Sequence, residues 1–129
     1  MGVDLIRGDE RTYVNWFGWA RVCAFAIEGG WKPLGTLPPD YFSEEKKANW
    51  SGTYNSNDYQ IITSEDALSM ALALEKMLHT FGEEVETADR VTSLSSDYDQ
   101  LRDFITKEGN REGLEALIDF LKGGDCEIA

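Results

Sequence analysis

The segment Trp16–Glu28 constrains the fold more than any other part of this 129-residue chain. Its sequence, WFGWARVCAFAIE, is apolar on almost every side once it is wound into a helix, and such a helix must be buried by the rest of the chain. Asn15 can cap its first turn, and Gly29-Gly30 can end it. We therefore expect a central helix with one narrow polar stripe, formed by Gly18, Arg21 and Glu28.

Two later segments carry the signals of further helices. Thr63-Ser-Glu-Asp66 is a helix start, because Thr63 can cap free amides and the two acids complement the positive end of the helix dipole. The helix predicted there ends at Gly82. It buries one apolar stripe, formed by Ala67, Met70, Ala71, Leu74, Leu78 and Phe81. Ser96 caps a third helix, which stops at Gly109.

A fourth helix and three short strands complete the predicted architecture. Asn110 caps that helix, and its inward residues are Leu114, Leu117, Ile118 and Leu121. Met1–Ile6, Tyr59–Ile62 and the tail Asp125–Ala129 read as short strands of one small sheet, the tail as an edge strand. The fold class is then α+β, with four main helices and two or three short strands in a single domain over residues 1–129. A purely helical bundle is the alternative if the strands prove irregular.

A long connector rich in aromatic residues joins the first two helices. It runs from Trp31 to Tyr59, contains all three prolines and has no sustained period apart from one helical turn at Ser43–Ala48. Eleven of the fifteen aromatic residues lie between Tyr13 and Tyr59. Solvent-exposed loops do not usually carry so much apolar surface. These rings therefore pack onto the core or form a recognition surface.

The charge of the chain narrows the classes of partner. There are 24 acidic and 12 basic residues, which gives a net charge of −12. We expect neither nucleic acid nor an anionic membrane as a partner, since both attract basic surfaces. A basic protein, a cationic ligand and a divalent cation remain open, although such a charge is also an ordinary means of staying soluble. Met1–Ile6 is too short for an export signal and no run approaches about 18 apolar residues, so we expect a cytoplasmic protein.

No residue pattern marks a reaction centre, a metal site or a cofactor site. His79 lies off the apolar stripe, and no nucleophile motif accompanies it, so it is expected at the surface. Cys23 and Cys126 form no CxxC pair and should stay reduced. The acidic residues of the later part of the chain lack the glycine and the spacing of an EF-hand. They are Glu83, Glu84, Glu86, Asp89, Asp97, Asp99 and Asp103. The connector glycines match no phosphate-binding motif.

The rings of the connector are the predicted binding site. Tyrosine and tryptophan combine a large contact area with a polar tip, and they dominate the energetics of protein interfaces. The candidates are Trp31, Tyr41, Trp50 and Tyr54, with Arg21 beside them on the first helix. Trp50-Ser-Gly-Thr-Tyr54 should be the most exposed piece. The competing interpretation is that these rings only cover the first helix.

Two classes of function are compatible with this sequence. The first is a non-catalytic acidic domain that binds a basic protein, as inhibitors of basic nucleases and toxins or immunity proteins do. The second is a ligand-binding protein or enzyme with an aromatic pocket, in which Arg21 orients an anion or the acidic residues orient a cation. A deep aromatic pocket with Arg21 pointing inward favours the second class, and a flat aromatic patch rimmed by carboxylates favours the first. Formation of a homodimer is left open.

Three stretches of the chain resemble small bacterial proteins of unknown function. They are Met1-Gly-Val-Asp-Leu5, Gly29-Gly-Trp-Lys-Pro-Leu-Gly-Thr36, and Ile61-Ile-Thr-Ser-Glu-Asp-Ala67 together with Ala73-Leu-Glu75. The likeness covers most of the chain, and its motifs are residues that form turns and helix ends. It implies a bacterial or phage origin and one stable domain, and it implies no activity and no site residue.

Overall fold

The structure, a computed structural model, describes residues 2–86 and 110–129. The elements of this part, in chain order, are β1 (Gly2–Arg7), β2 (Glu10–Asn15), α1 (Trp16–Glu28), α2 (Glu44–Ala48), β3 (Gln60–Ile62), α3 (Ser64–Glu86), α4 (Asn110–Lys122) and β4 (Cys126–Ile128). The mixed α+β class is confirmed, whereas the described part alone has four strands instead of two or three. The helix predicted after Ser96 lies outside the described residues.

The four strands form one antiparallel sheet in the order β2-β1-β4-β3. β1 and β2 are a hairpin around Gly8 and Asp9, and Gly8 supplies the positive φ of 58° that a two-residue hairpin turn requires. β4 pairs with β1 on one side and β3 on the other. The tail is therefore an interior strand, and the prediction of an edge strand was wrong. Its Cys126 and Ile128 are buried on the core face, whereas Glu127 between them is exposed on the other face.

One face of the sheet and three helices enclose the hydrophobic core. The strand residues that contribute to it are Val3, Leu5, Ile62, Cys126 and Ile128. α3 packs against both α1 and α4, and α1 also contacts the β1–β2 hairpin. The described elements thus form two layers, helices on sheet, around one core. Within the described ranges, no helix has the length and apolar character needed to cross a membrane.

The central helix has the predicted bounds but a different exposed side. Its buried residues include Trp19, Val22, Phe25 and Ala26. Gly18 is buried as well, so it is not part of a polar stripe. Of the predicted stripe, Glu28 is exposed and Arg21 is half-buried, and the exposed side also carries Ala20, Ala24 and Ile27, the last 53% exposed. Apolar residues often lie singly at protein surfaces, Ala20, Ala24 and the large Ile27 among them, and hydrophobicity alone therefore did not identify this side.

The inward stripes of the two later helices are confirmed where their side chains are described. Those on α3 are Ala67, Met70, Ala71, Leu74 and Leu78, and those on α4 are Leu114, Leu117, Ile118 and Leu121. α3 continues to Glu86, past Gly82, where the sequence predicted its end. A glycine inside a helix costs only about 1 kcal/mol relative to alanine, and a long packed helix can bear that cost.

Candidate functional site

A buried carboxylate at the start of α3 anchors the connector. Asp66 is 0% exposed. Its Oδ1 accepts hydrogen bonds from the Trp31 Nε1 at 2.9 Å and from the Leu34 backbone N–H at 3.2 Å. Its Oδ2 accepts a short hydrogen bond from the Tyr54 hydroxyl. Two rings that lie 35 and 12 residues before Asp66 in the sequence are thus fixed to its carboxylate.

Tyr54 is the second anchor of this network. Its hydroxyl accepts a hydrogen bond from the Gly35 N–H at 2.9 Å, and its ring meets that of Trp31 edge to face at 5.1 Å. Its backbone carbonyl accepts the Trp19 Nε1 of α1 at 2.8 Å. Burial raises the pKa of the Tyr54 phenol, and the hydrogen bond to Asp66 raises it further. Tyr54 and Trp31 therefore hold the connector against α1 and α3.

A ladder of three rings extends from this anchor toward solvent. Trp50 Nε1 donates to the Thr36 carbonyl at 2.9 Å, which fixes the indole. The Phe42 ring meets Trp50 edge to face at 5.5 Å, and Tyr41 meets Phe42 in the same way at 5.0 Å. Trp50 and Phe42 are half-buried, whereas Tyr41 is 66% exposed. Tyr41 is therefore an exposed ring on a rigid support.

Three exposed residues lie beside β3 or just before it, and we call them the tyrosine edge: Leu37, Tyr41 and Tyr59. Leu37 is 49% exposed and pairs with Ile61 of β3 through two backbone hydrogen bonds of 2.8 and 2.9 Å. The Tyr41 hydroxyl donates to the Asp58 carbonyl at 2.8 Å, which places it next to Tyr59. Tyr59 is 50% exposed.

Tyr59 has an unusual backbone conformation. Its φ is 68°, and it is the one non-glycine residue with a positive φ in the described part of the chain. This conformation is costly for an aromatic residue and is ordinarily taken by glycine. Strained residues that persist at a surface are concentrated at functional sites. Half of Tyr59 is exposed, so burial of this residue offsets only part of that cost.

The structure separates the predicted site residues. Trp31 is only 3% exposed, and Tyr54 binds the same carboxylate, so both rings stabilise the fold. Trp50 and Tyr54 are half-buried, and the prediction that they form the most exposed piece was wrong because their polar tips bind the connector's own backbone. Tyr41 lies in the tyrosine edge. Arg21 is a half-buried residue of α1 with interactions of its own.

Sequence reasoning missed two residues that matter here. Tyr59 was assigned to a strand, and Asp66 only to the dipole of α3. A signal for Asp66 was available, because buried indole N–H and phenol groups need acceptors and the connector contains several of both. No sequence signal identifies Tyr59, because a positive φ is not expected of an aromatic residue and its N–H donates to Ile128 O, far along the chain, at 2.8 Å.

The two thiols of the described residues are not activated, and no metal-binding group of side chains is found among those residues. Burial raises the pKa of the Cys23 thiol to about 12 and that of the Cys126 thiol to about 12, so both stay protonated and unreactive near neutral pH. Within residues 2–86 and 110–129, no group of three or more His, Cys, Asp or Glu side chains could hold a metal ion. The acidic residues from Asp89 to Asp103 lie outside the described residues, as do the side chains of Glu83, Glu84 and Glu86.

No protein-family model, curated protein or solved structure matches this chain. The resemblance to small bacterial proteins therefore stays a prediction.

Proposed function

We propose that the protein is a non-catalytic binding domain that docks onto a basic protein surface through the tyrosine edge. The single observation that carries this proposal is Tyr59, a half-exposed aromatic residue in a backbone conformation that favours glycine. A strained conformation of this kind costs on the order of 1–3 kcal/mol, and the fold gains no packing from the exposed half of the ring. Contact between a partner and the exposed half of the Tyr59 ring supplies the stabilisation that offsets this cost.

The rigidity of the tyrosine edge supports the same proposal. Tyr41 is held by the hydrogen bond from its hydroxyl to Asp58 O and by the Phe42 ring beneath it. A preorganised aromatic side chain loses little conformational entropy when it binds, which is why such rings act as interface anchors.

The charges around the tyrosine edge favour a basic partner over an acidic one. Exposed or half-buried acidic residues nearby are Asp40, Glu44, Glu45 and Asp58. Two lysines, Lys46 and Lys47, lie in the same segment. Four acids against two bases leave this surface negative by two charges, in a chain with a net charge of −12. Opposite charge on a partner accelerates encounter and suppresses wrong partners.

The pocket-based alternative receives less support from the geometry. The rings that could have lined a deep pocket are joined to each other and to Asp66, and no buried polar side-chain atom of the described residues is left without a hydrogen-bond partner. The shallow groove beside the ring ladder is lined by residues of the connector only, from Phe42 to Ser51. Arg21 is not one of them.

The test is an affinity capture from bacterial lysate with the double variant Tyr41→Ala, Tyr59→Gly. We expect the wild-type chain to retain at least one basic protein, and the double variant to lose it by about 100-fold or more in affinity, since interface anchors contribute about 2 kcal/mol each and their combined loss is about 3–4 kcal/mol. The retention should weaken as salt is added, because salt screens the attraction between opposite charges.

The matched control is Tyr13→Ala, which removes a tyrosine of similar exposure, 62%, from β2 at the other edge of the sheet. It should keep the partner. The free energy of unfolding of Tyr59→Gly alone should be unchanged or higher by about 1 kcal/mol, because glycine relieves the strain. Equal capture by the double variant and the wild-type chain would refute the proposed site.

A further inference from the structure

The two edges of the sheet differ in whether another segment of the described chain covers them. Beyond β3, the connector covers the edge through Leu37, whose N–H and carbonyl both bond to Ile61. β2 forms the opposite edge, and among the described residues it pairs with β1 only. Its six residues, ERTYVN, are paired without a bulge and include no proline and no lysine. Bulges, proline and lysine are among the means by which proteins block an edge strand, and the charged residues that β2 does carry, Glu10 and Arg11, stand at its first two positions.

The register shows which backbone groups of β2 face outward. Antiparallel pairs alternate between hydrogen-bonded and non-hydrogen-bonded positions. Asp4 lies opposite Tyr13, but its own N–H and carbonyl bond to Ala129 at 2.9 and 2.8 Å. The N–H and carbonyl of Tyr13 therefore point away from β1, and those of Arg11, two residues earlier, do the same. Neither residue has a backbone partner within the described part of the chain.

We propose that β2 pairs with β2 of a second copy of this chain, antiparallel and with Tyr13 opposite Tyr13 of that copy. A two-fold axis normal to the sheet then joins the two sheets into one of eight strands. Both Tyr13 residues exchange their outward N–H and carbonyl groups. The residue types of the cross-strand pairs are favourable. Tyr13 lies opposite Tyr13 on one face of the sheet, and Thr12 lies opposite Val14 of the second copy on the other face. Arg11 lies diagonal to the Tyr13 ring of the second copy, within reach of a cation–π contact.

The charge of the hairpin favours a second copy over a basic peptide strand. Residues 2–15 contain three acids, Asp4, Asp9 and Glu10, and two bases, Arg7 and Arg11, which leaves a net charge of −1. The whole chain carries −12. Two copies therefore meet with little repulsion at this edge, and a basic strand gains little attraction there. Docking at the tyrosine edge and pairing at β2 use opposite edges of the sheet, so one can fail without the other.

Sedimentation equilibrium of the full chain and of Tyr13→Pro tests the proposal. Proline removes an N–H that faces the free edge and leaves the bonds to β1 intact, a position where edge strands accept it. The wild-type chain should reach twice its mass of 14.5 kDa. In Tyr13→Pro the dissociation constant should rise about thirtyfold, since two hydrogen bonds of about 1 kcal/mol are lost. Tyr41→Ala, which removes an exposed tyrosine away from β2, should dimerise like the wild-type chain.

A cysteine variant tests the register and does not depend on proline being tolerated. Opposed residues of a hydrogen-bonded pair have Cα atoms about 5.5 Å apart, within the range of a disulfide. Under mild oxidation Tyr13→Cys should therefore give a disulfide-linked dimer, whereas Thr12→Cys and the parent chain should not. A monomeric wild-type chain at all concentrations, or linkage at position 12 in place of 13, would overturn the proposal.

Discussion

Asp66 shows how one residue decides the shape of a segment that has no regular structure. A carboxylate with 0% exposure has lost its water and needs other donors. Trp31, Leu34 and Tyr54 provide three hydrogen bonds, two from rings and one from the backbone. The connector therefore closes over the N-terminal end of α3, where its own donors replace the water around the Asp66 carboxylate. The sequence predicted that these rings form a binding surface or cover the core, but composition could not distinguish an exposed interface residue from a hydrogen-bond donor to Asp66.

Removing one hydroxyl from this network should be costly. In Tyr54→Phe, Asp66 loses a donor and the Gly35 N–H loses its acceptor. We expect the free energy of unfolding to fall by about 2–4 kcal/mol, because two buried polar groups are left short of partners. Urea titration with fluorescence detection measures the change. Tyr13→Phe removes an exposed hydroxyl and should shift it by less than about 0.5 kcal/mol. Similar unfolding midpoints for both variants would contradict this role of Asp66.

At the scale of elements, periodicity predicted the helices well and the sheet only in part. α1 has the predicted bounds because its apolar run ends at Gly29-Gly30, where the chain turns. β2 was not predicted because Glu10 and Arg11 interrupt its apolar pattern. Charged side chains at such positions are compatible with a strand at the edge of a sheet. The order of the strands depends on contacts between β1 and β4, more than 110 residues apart, and no local pattern encodes it.

Arg7 is the contact that joins the first strand to the last helix. Its guanidinium donates to the carbonyls of Phe120, Gly124 and Asp125 and lies 4.4 Å from the centre of the Phe120 ring. These carbonyls lie at and just beyond the end of α4, where helix hydrogen bonds run out. A cation at a helix C-terminus also complements the dipole. The hairpin, α4 and β4 are therefore connected through one side chain.

Arg7→Met should lower the free energy of unfolding by about 2–4 kcal/mol, since the stem is kept and the hydrogen bonds of a charged group are lost. Thermal and urea unfolding measure the change. Arg11→Met on β2 is the matched control, measured at a concentration at which the chain is monomeric, because Arg11 is mostly exposed and approaches Asp4 only at 4.0 Å. A surface ion pair of this kind contributes at most about 1 kcal/mol. Equal losses in both variants would show that Arg7 does not join these elements.

For the whole molecule, composition pointed to the connector, and the structure decides which of its rings reach solvent. Tyr41 and Tyr59 of the connector are exposed, and so is Tyr13 of β2. Within the connector, exposure is set by hydrogen bonds between residues far apart in sequence, such as Thr36 with Trp50 and Asp58 with Tyr41. Burial also decides the reactivity of the two thiols. It raises the pKa of Cys23 and that of Cys126, so both act as packed apolar side chains.

These thiols make the stability of the whole molecule depend on alkaline pH. The pKa of Cys23 and that of Cys126 are each raised from 9.0 to about 12 in the folded state, by burial. The unfolded chain therefore loses these protons at lower pH than the folded chain. The stabilisation is complete below pH 9 and is lost as the pH rises toward 12, by up to about 1.4 kcal/mol per pH unit and thiol. Urea unfolding in reducing buffer between pH 8 and pH 10 should show the decline beginning near 9. The double variant Cys23→Ala, Cys126→Ala should be less stable at pH 8 but flatter over that interval, and parallel curves for both proteins would rule out the thiols as the cause.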